Sequence, residues 1–267
     1  MSLSRQLYTK PYITADCWIT QETLSTKYLD GKNEDVKREI ASLSKIMTCF
    51  TVIQEINRRK RSFEEVIKIS SKAANIEGTS ANLQSGDEVK IWDLLHGLML
   101  PSGNDAAIAL AEFIGTMIDK NTEPIACFVE RMNLNAKVLK LNDTFFNNPH
   151  GMSTSVNIST ARNVAILASF AVKINIFRQI VGTKKYSCRI YNPNGVRKVE
   201  WVNTNSMLEK GFKGIKTGIT PAAGPCLCFF IEKKKKSMIG VLLNSKTMDL
   251  RWREASKLWK YSSNYLL

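Results

Sequence analysis

Apolar residues recur along this chain in two rhythms. From Ile13 to Leu29, Thr, Ile, Trp and Tyr alternate roughly with polar residues, which predicts one or two strands with a turn. The polar stretch from Asp30 to Arg38 predicts a loop. Ile46, Met47, Cys49, Phe50, Val52 and Ile53 then crowd a segment that is apolar nearly all round, the mark of a helix inside a protein. This helix is predicted to start at Ser42 and run to about Asn57, with Arg58-Arg59-Lys60-Arg61 complementing its C-terminal dipole. Val66-Ile67-Lys68-Ile69 predicts a short strand, and Ser70 to Gly86, rich in Ser, Asn and Gly, predicts irregular structure. A helical block follows. Asp87 to Leu100 is stopped by Pro101, Asp105 to Met117 is rich in Ala and Leu, and Glu123 to Leu139 carries Ile125, Phe128, Val129, Met132 and Ala136 at helical spacing. Ser159-Thr160 is expected to cap a helix over Ala161 to Ala171. From Tyr186 the rhythm turns to strands: Tyr186 to Ile190, Val199 to Val202 beyond a turn at Asn192 to Gly195, Gly214 to Thr217, Cys226 to Glu232 and Met238 to Leu243. Arg251 to Tyr261 is a closing amphipathic helix. Strands at both ends with helices between them predict an α+β sheet domain interrupted by a helical subdomain.

Composition changes this picture little. With 44% hydrophobic and 23% charged residues in 267, the chain has the make-up of an ordinary globular protein with enough residues to bury a core. No apolar run is long enough to span a bilayer. The N-terminal MSLSRQLYTKPYITADCW has no apolar run of signal-peptide length, so as written the chain is expected to be cytoplasmic, neither exported by that route nor anchored. The net charge of +14 favours polyanionic partners, but the basic residues are scattered. The one dense run, Lys233 to Lys236, lies between two predicted strands and reads as a solvated hairpin turn. No nucleic-acid motif accompanies it, and no nucleic-acid partner is expected. Six cysteines without a Cys-x-x-Cys pair, and two histidines without ligand spacing, give no metal site, and the cysteines read as mostly buried small hydrophobes. No cofactor is expected.

The chemistry begins at Ser42 and Lys45, which are three residues apart and so share a helix face. A lysine inside an apolar helix is desolvated, which lowers its pKa, and a neutral amine beside a hydroxyl acts as its base. Taken alone, the pair reads rather as an ordinary helix start, with Ser42 or Ser44 capping and Lys45 snorkelling to water. Pro101-Ser102-Gly103-Asn104-Asp105 alone is loop chemistry, with Asn104 or Asp105 capping the next helix. Gly214-Ile215-Lys216-Thr217-Gly218 alone is a strand with a bulge, or a strand that another backbone or a ligand approaches closely.

Taken in order, Ser-x-x-Lys, Ser-Gly-Asn and Lys-Thr-Gly are the signature set of penicillin-recognising serine enzymes. The chain resembles the low-molecular-mass penicillin-binding proteins, the serine-type D-alanyl-D-alanine carboxypeptidases. Ala41 to Thr48, Trp92 to Ala107, Asn148-Pro149-His150-Gly151-Met152, Ser159-Thr160-Ala161-Arg162 and Gly214 to Thr220 with Ala223-Gly224 all carry the likeness, over about 40–260. The resemblance implies a β-lactamase/transpeptidase-like fold, an antiparallel sheet flanked by helices with an inserted all-helical subdomain. It implies a single catalytic domain, with an α/β part at about 1–70 and 156–267 and the helical subdomain at about 71–155. It implies Ser42 as nucleophile, Lys45 as its neutral base and Ser102 as proton relay to the leaving amine. Asn104 would bind the substrate's peptide carbonyl. Lys216 would keep its charge and thereby hold Lys45 neutral. Thr217 would bind the terminal carboxylate, helped by Arg251 in preference to Arg253. The backbone N–H groups of Ser42 and of Ile219, just after Gly218, would form the oxyanion hole. The implied substrate is a peptidoglycan-type stem peptide ending in D-Ala-D-Ala, with β-lactams as covalent inhibitors.

Several positions depart from the family pattern. Ile40 stands where Pro is usual, Ser44 where Thr is, and Ile219 where an aromatic residue or His is common. Members are normally exported, unlike the expectation for this chain as written. Two other readings compete: a β-lactamase-like hydrolase or esterase of the same fold, and a retired enzyme that only binds. Class A β-lactamases deacylate with a glutamate, and between Asn142 and Ser159 the chain has Asp143 but no Glu, which argues against β-lactam turnover.

Overall fold

The structure is a computed structural model and describes residues 8–153 and 157–266. The first seven residues, part of the stretch read above for an export signal, lie outside the described residues, as does the expected subdomain boundary at 155–156. In chain order the elements are β1 (Cys17–Glu22), β2 (Tyr28–Lys32), β3 (Arg38–Glu39), a 3-10 turn (Ala41–Ser44), α1 (Lys45–Arg58), β4 (Val66–Lys68), α2 (Ser71–Ala74), β5 (Glu88–Lys90), α3 (Ile91–Met99), α4 (Asn104–Ile118) and α5 (Pro124–Val138). There follow β6 (Ile158–Ser159), α6 (Ala161–Ala171), α7 (Asn175–Gly182), β7 (Lys185–Asn192), β8 (Gly195–Val202), β9 (Gly214–Gly218), β10 (Cys226–Lys233), β11 (Lys236–Leu243) and α8 (Met248–Ser262).

The main sheet is antiparallel, in the order β2-β1-β11-β10-β9. Its central strands are apolar on both faces because helices cover both. Along β10, Cys226, Cys228 and Phe230 enter the core shared with α1 and α6, while Leu227, Phe229 and Ile231 enter a second core with Ala255 and Leu258 of α8. This is the two-residue period of a strand read against two layers. Gly240 faces Phe229 across the ladder, and a Cβ there would lie 2.1 Å from the ring, so the glycine makes room for the aromatic side chain. Helix α1 is buried on nearly every side, including Lys45, as its all-round apolar pattern required. Thr160 caps α6 by accepting from Asn163 N at 3.0 Å. Lys234 and Lys235 form the two-residue turn between β10 and β11. Among the described residues no single helix is long and apolar enough to cross a membrane.

The structure adds elements that the hydropathy pattern did not predict. Asp30 to Lys32 belong to β2, not to a loop: an edge strand tolerates charges because one side of its ladder faces water. Glu88 to Lys90, expected at a helix start, form β5, which joins a second antiparallel sheet ordered β4-β5-β7-β8. Short α2 interrupts the stretch expected to be irregular, with Ser70 Oγ accepting from Ala73 N at 3.0 Å. Helix α7 is also additional. It buries Phe177, Ile180 and Val181, the i, i+3, i+4 stripe of one helical face.

Candidate active site

The 3-10 turn ahead of α1 carries Ser42. Ala41 enters it at φ +47°, and Ser44 Oγ donates back to Ala41 O at 2.9 Å. Neither Ser42 nor Ser44 caps α1 with its side chain, so the ordinary helix-start reading does not hold. Two glycines let backbone crowd this turn. A Cβ at Gly218 would sit 3.1 Å from Ser42 N, and one at Gly151 would sit 2.0 Å from Ala41 O. The end of β9 and the Asn148–Met152 turn therefore wall Ser42 on two sides.

Lys45 does not snorkel; it is fully buried. Its Nζ lies 3.1 Å from Ser42 Oγ and donates to Asn104 Oδ1 at 2.7 Å and to His150 O at 2.8 Å. Neither Lys45 nor Lys216 makes a salt bridge among the described residues. Burial, and next the nearby charge of Lys216, hold the Lys45 pKa well below its ordinary value, with Asp105 opposing. The same burial, with Lys45 beside it, pushes His150 down to about 3, so its ring is neutral and its Nδ1 accepts from Met152 N.

Ser102 lies on the loop between α3 and α4, in the left-handed region at φ +68°. Thr79 Oγ1 donates to its carbonyl at 2.6 Å, and Asn104 N donates to Thr79 O at 2.7 Å, which fixes the loop. The Ser102 hydroxyl is buried and has no hydrogen-bond partner among the described residues. Capping of α4 by Asn104 or Asp105 is not seen. Asn104 faces Lys45 and donates its amide to Glu77 O at 2.7 Å. The Asp105 carboxylate accepts from Ala81 N, Leu83 N and Ser80 Oγ, tying the 80–83 segment to the motif.

Strand β9 brings up Lys216, Thr217 and Gly218, all buried and with no bulge in the β9–β10 register, while Ile219 just beyond is exposed. Lys216 Nζ donates to Thr217 O at 3.2 Å, and Thr217 Oγ1 pairs with Thr204 Oγ1 at 2.7 Å. Arg251 lies in the first turn of α8, buried, with Nη1 donating to Gly218 O at 3.3 Å and Cys226 O at 3.2 Å. What it holds here is the end of β9. Burial lowers Arg251 to about 10, leaving it charged at neutral pH. Burial, and then Arg251, push Lys216 down to about 7. Lys216, expected to keep its charge, thus sits where burial disfavours the charged form, as it does for Lys45.

The fold thus gathers Ser42, Lys45 and Asn104 in direct contact and sets Lys216 within electrostatic reach. The sequence did not point to Thr79, Thr204, Asn157 or the His150 carbonyl as parts of this site. Backbone groups and single polar residues leave no spacing signal; only the Pro-His-Gly turn had stood out. Two cavities of about 860 and 940 Å³, lined by Arg59, Phe113 and Met117 and by Val129 and Phe145 respectively, contain none of these groups. Chemistry rather than volume identifies the site.

Comparison with known proteins gives the family and the fold. Residues 5–247 match the family model described as D-alanyl-D-alanine carboxypeptidase. A D-alanyl-D-alanine carboxypeptidase of Streptomyces sp. (strain K15) is 35% identical over 95% of this chain and 88% of its own. The carboxypeptidase DacF of Bacillus subtilis is 31% identical over 88% of this chain, which spans only 59% of that relative's length. The crystal structure of the Streptomyces K15 DD-transpeptidase superposes with a TM-score of 0.90 at 33% identity, covering 96% of this chain and 99% of that one. The chain belongs to the D-alanyl-D-alanine carboxypeptidase family.

Proposed function

We propose that this protein is a serine-type D-alanyl-D-alanine carboxypeptidase, removing the terminal D-alanine of peptidoglycan-type stem peptides through an acyl-Ser42 intermediate. The observation that carries the reading is Lys45: a buried amine with no carboxylate partner among the described residues, 3.1 Å from the Ser42 hydroxyl. In its neutral form the amine has two N–H groups and one lone pair. Asn104 Oδ1 and His150 O take the two N–H groups, which leaves the lone pair for the Ser42 O–H. Ser42 Oγ attacks the carbonyl carbon of the penultimate residue as its proton passes to Lys45 Nζ. The tetrahedral oxyanion faces the N–H groups of Ser42 and Ile219. The unpartnered Ser102 hydroxyl relays the proton to the departing amine of D-alanine. Water then hydrolyses the ester. The cationic floor of Lys216 and Arg251, with the Thr217–Thr204 hydroxyl pair, suits the substrate's carboxylate, Arg251 acting through the strand end that it holds. β-Lactams would acylate the same serine. Such stem peptides are exposed at the cell envelope, and the reading puts the protein's work there; cell fractionation tests it.

Intact-protein mass spectrometry with a penicillin tests the chemistry. A persistent adduct on Ser42, absent in Ser42→Ala, is expected, and an unmodified Ser42 in folded protein sinks the reading. Rapid loss of the adduct would favour β-lactamase-like turnover. The solved relative named a DD-transpeptidase supports a second reading, transfer of the same acyl group to an amine in place of water. Product analysis with an added amine acceptor separates the two.

A further inference from the structure

The Asn148–Met152 turn makes and breaks no bond in this chemistry, yet it touches the base. Its Pro149 O accepts from Thr48 Oγ1 at 2.6 Å and its His150 O from Lys45 Nζ at 2.8 Å, two residues three apart on one face of α1. Asn148 shapes the turn from within. Its Oδ1 accepts from His150 N at 3.1 Å and Gly151 N at 2.6 Å, and its Nδ2 donates to Met152 O at 3.1 Å. Asn157 then joins this turn to the nucleophile's turn. Its Oδ1 accepts from Asn147 N at 2.8 Å and Asn148 N at 3.2 Å. Its Nδ2 donates to Asn148 O and to Ser44 Oγ, both at 2.9 Å. Ser44 Oγ in turn donates to Ala41 O, the atom against which Gly151 packs. One carboxamide, only 3% exposed, is thus bonded both to the 147–148 segment and to the turn that carries Ser42.

We propose that Asn157 is a positioning residue for acylation: it latches the 147–151 turn to the Ala41–Ser44 turn, so that His150 O keeps hold of one Lys45 N–H and the amine's lone pair stays on Ser42 Oγ. The inference rests on Ser42 and Lys45 acting as nucleophile and base. An amine turns about its Cε–Nζ bond among staggered orientations. With both acceptors in place only one of them satisfies every group and presents the lone pair to serine. If the turn drifts, His150 O no longer selects that orientation, and the misplaced base slows proton removal without touching the surface that binds the ligand.

The test is stopped-flow acylation by a fluorescent penicillin at several concentrations, which separates the non-covalent dissociation constant from the acylation rate constant. Thermal unfolding and the titre of acylable sites are measured alongside. Asn157→Ala should lower the rate constant about 10-fold per acylable site with the dissociation constant unchanged. Ser44→Ala, which removes the Asn157–Ser44 bond of the latch together with the Ser44–Ala41 bond inside the turn but keeps the other bonds of Asn157 to the 147–148 segment, should lower it by a smaller factor in the same sense and serves if Asn157→Ala does not fold. A merely structural asparagine would reduce the titre or the unfolding temperature and leave the rate constant per site as in wild type; that result overturns the latch alone. Absence of a Ser42 adduct in the wild type would overturn the function reading and the latch together.

Discussion

The hairpin β10–β11 with α8 and the cleft around Ser42 are built from the same chain under opposite rules. In the hairpin every strand residue from Cys226 to Ile231 and from Met238 to Leu243 is buried, alternate side chains serve alternate cores, and Gly240 accommodates Phe229. Local pattern and tertiary packing agree there, which is how stability accumulates. The cleft violates those rules within a few residues. Ala41 and Ser102 are left-handed without being glycine, and among the described residues two buried lysines have no carboxylate partner and one buried hydroxyl has no bond. Each such feature opposes folding and persists only because its surroundings over-determine it. The surplus stability of the layered sheet is what permits a reactive, strained cleft to exist beside it.

The largest expected effect lies at Lys45, the proposed base. Lys45→Arg keeps a cation that cannot be deprotonated, so acylation by a labelled penicillin should fall by about 10²–10⁴-fold with the fold retained by circular dichroism. Normal acylation in that variant would remove Lys45 from the role of base. Next is Lys216. Its folded pKa is lowered to about 7 from an ordinary 10.5. Between those values the unfolded chain binds more protons than the folded one, so the penalty is full below about pH 7 and fades as pH rises towards 10.5. Lys216→Met should therefore be more stable than wild type near pH 6, by an amount on the order of a few kcal/mol, with the gap closing by about pH 10. Urea unfolding at three pH values measures it. A wild type as stable as the variant at pH 6 would mean that Lys216 is better solvated than its burial implies, and the cleft less costly.

The same contrast explains what was legible in the sequence. The long helices and the paired apolar strands were readable because their own periodicity matches their burial. The three motifs were readable because catalysis demands particular side chains at fixed spacing, and Ser42, Lys45 and Asn104 do meet. Strand β5 was not, since Glu88-Val89-Lys90 becomes a strand only by pairing with β4 and Tyr191 of β7. The lowered pKa of Lys216 was hidden as well, because it comes first from burial in the folded strand and then from Arg251, thirty-five residues on, folding back against the end of β9. The contact of Lys45 with His150 runs through a main-chain carbonyl, which any residue could supply.

The smallest expected effect on stability comes from a matched pair of glycine substitutions. Lys235 in the β10–β11 turn has φ +64° and Ser102 in the cleft has φ +68°, nearly the same backbone in the two regions. A two-residue hairpin with positive φ at both centres, here Lys234 at +50° and Lys235, favours Asn-Gly over Lys-Lys. Lys235→Gly should thus stabilise by about 0.5–1 kcal/mol, raising the melting temperature by about 1–4 °C, with acylation unchanged. Ser102→Gly relieves the same strain and also deletes an unpartnered buried hydroxyl, so its gain in stability should be at least as large. Acylation turnover should nevertheless fall by about 10²-fold or more, because the relay has gone. Equal backbone relief with unequal chemical outcome would show that the left-handed serine is tolerated for the position it gives the hydroxyl. If Ser102→Gly is stabilised and still turns over a D-Ala-D-Ala peptide at the wild-type rate, strain in the cleft has no more functional meaning than strain in the hairpin.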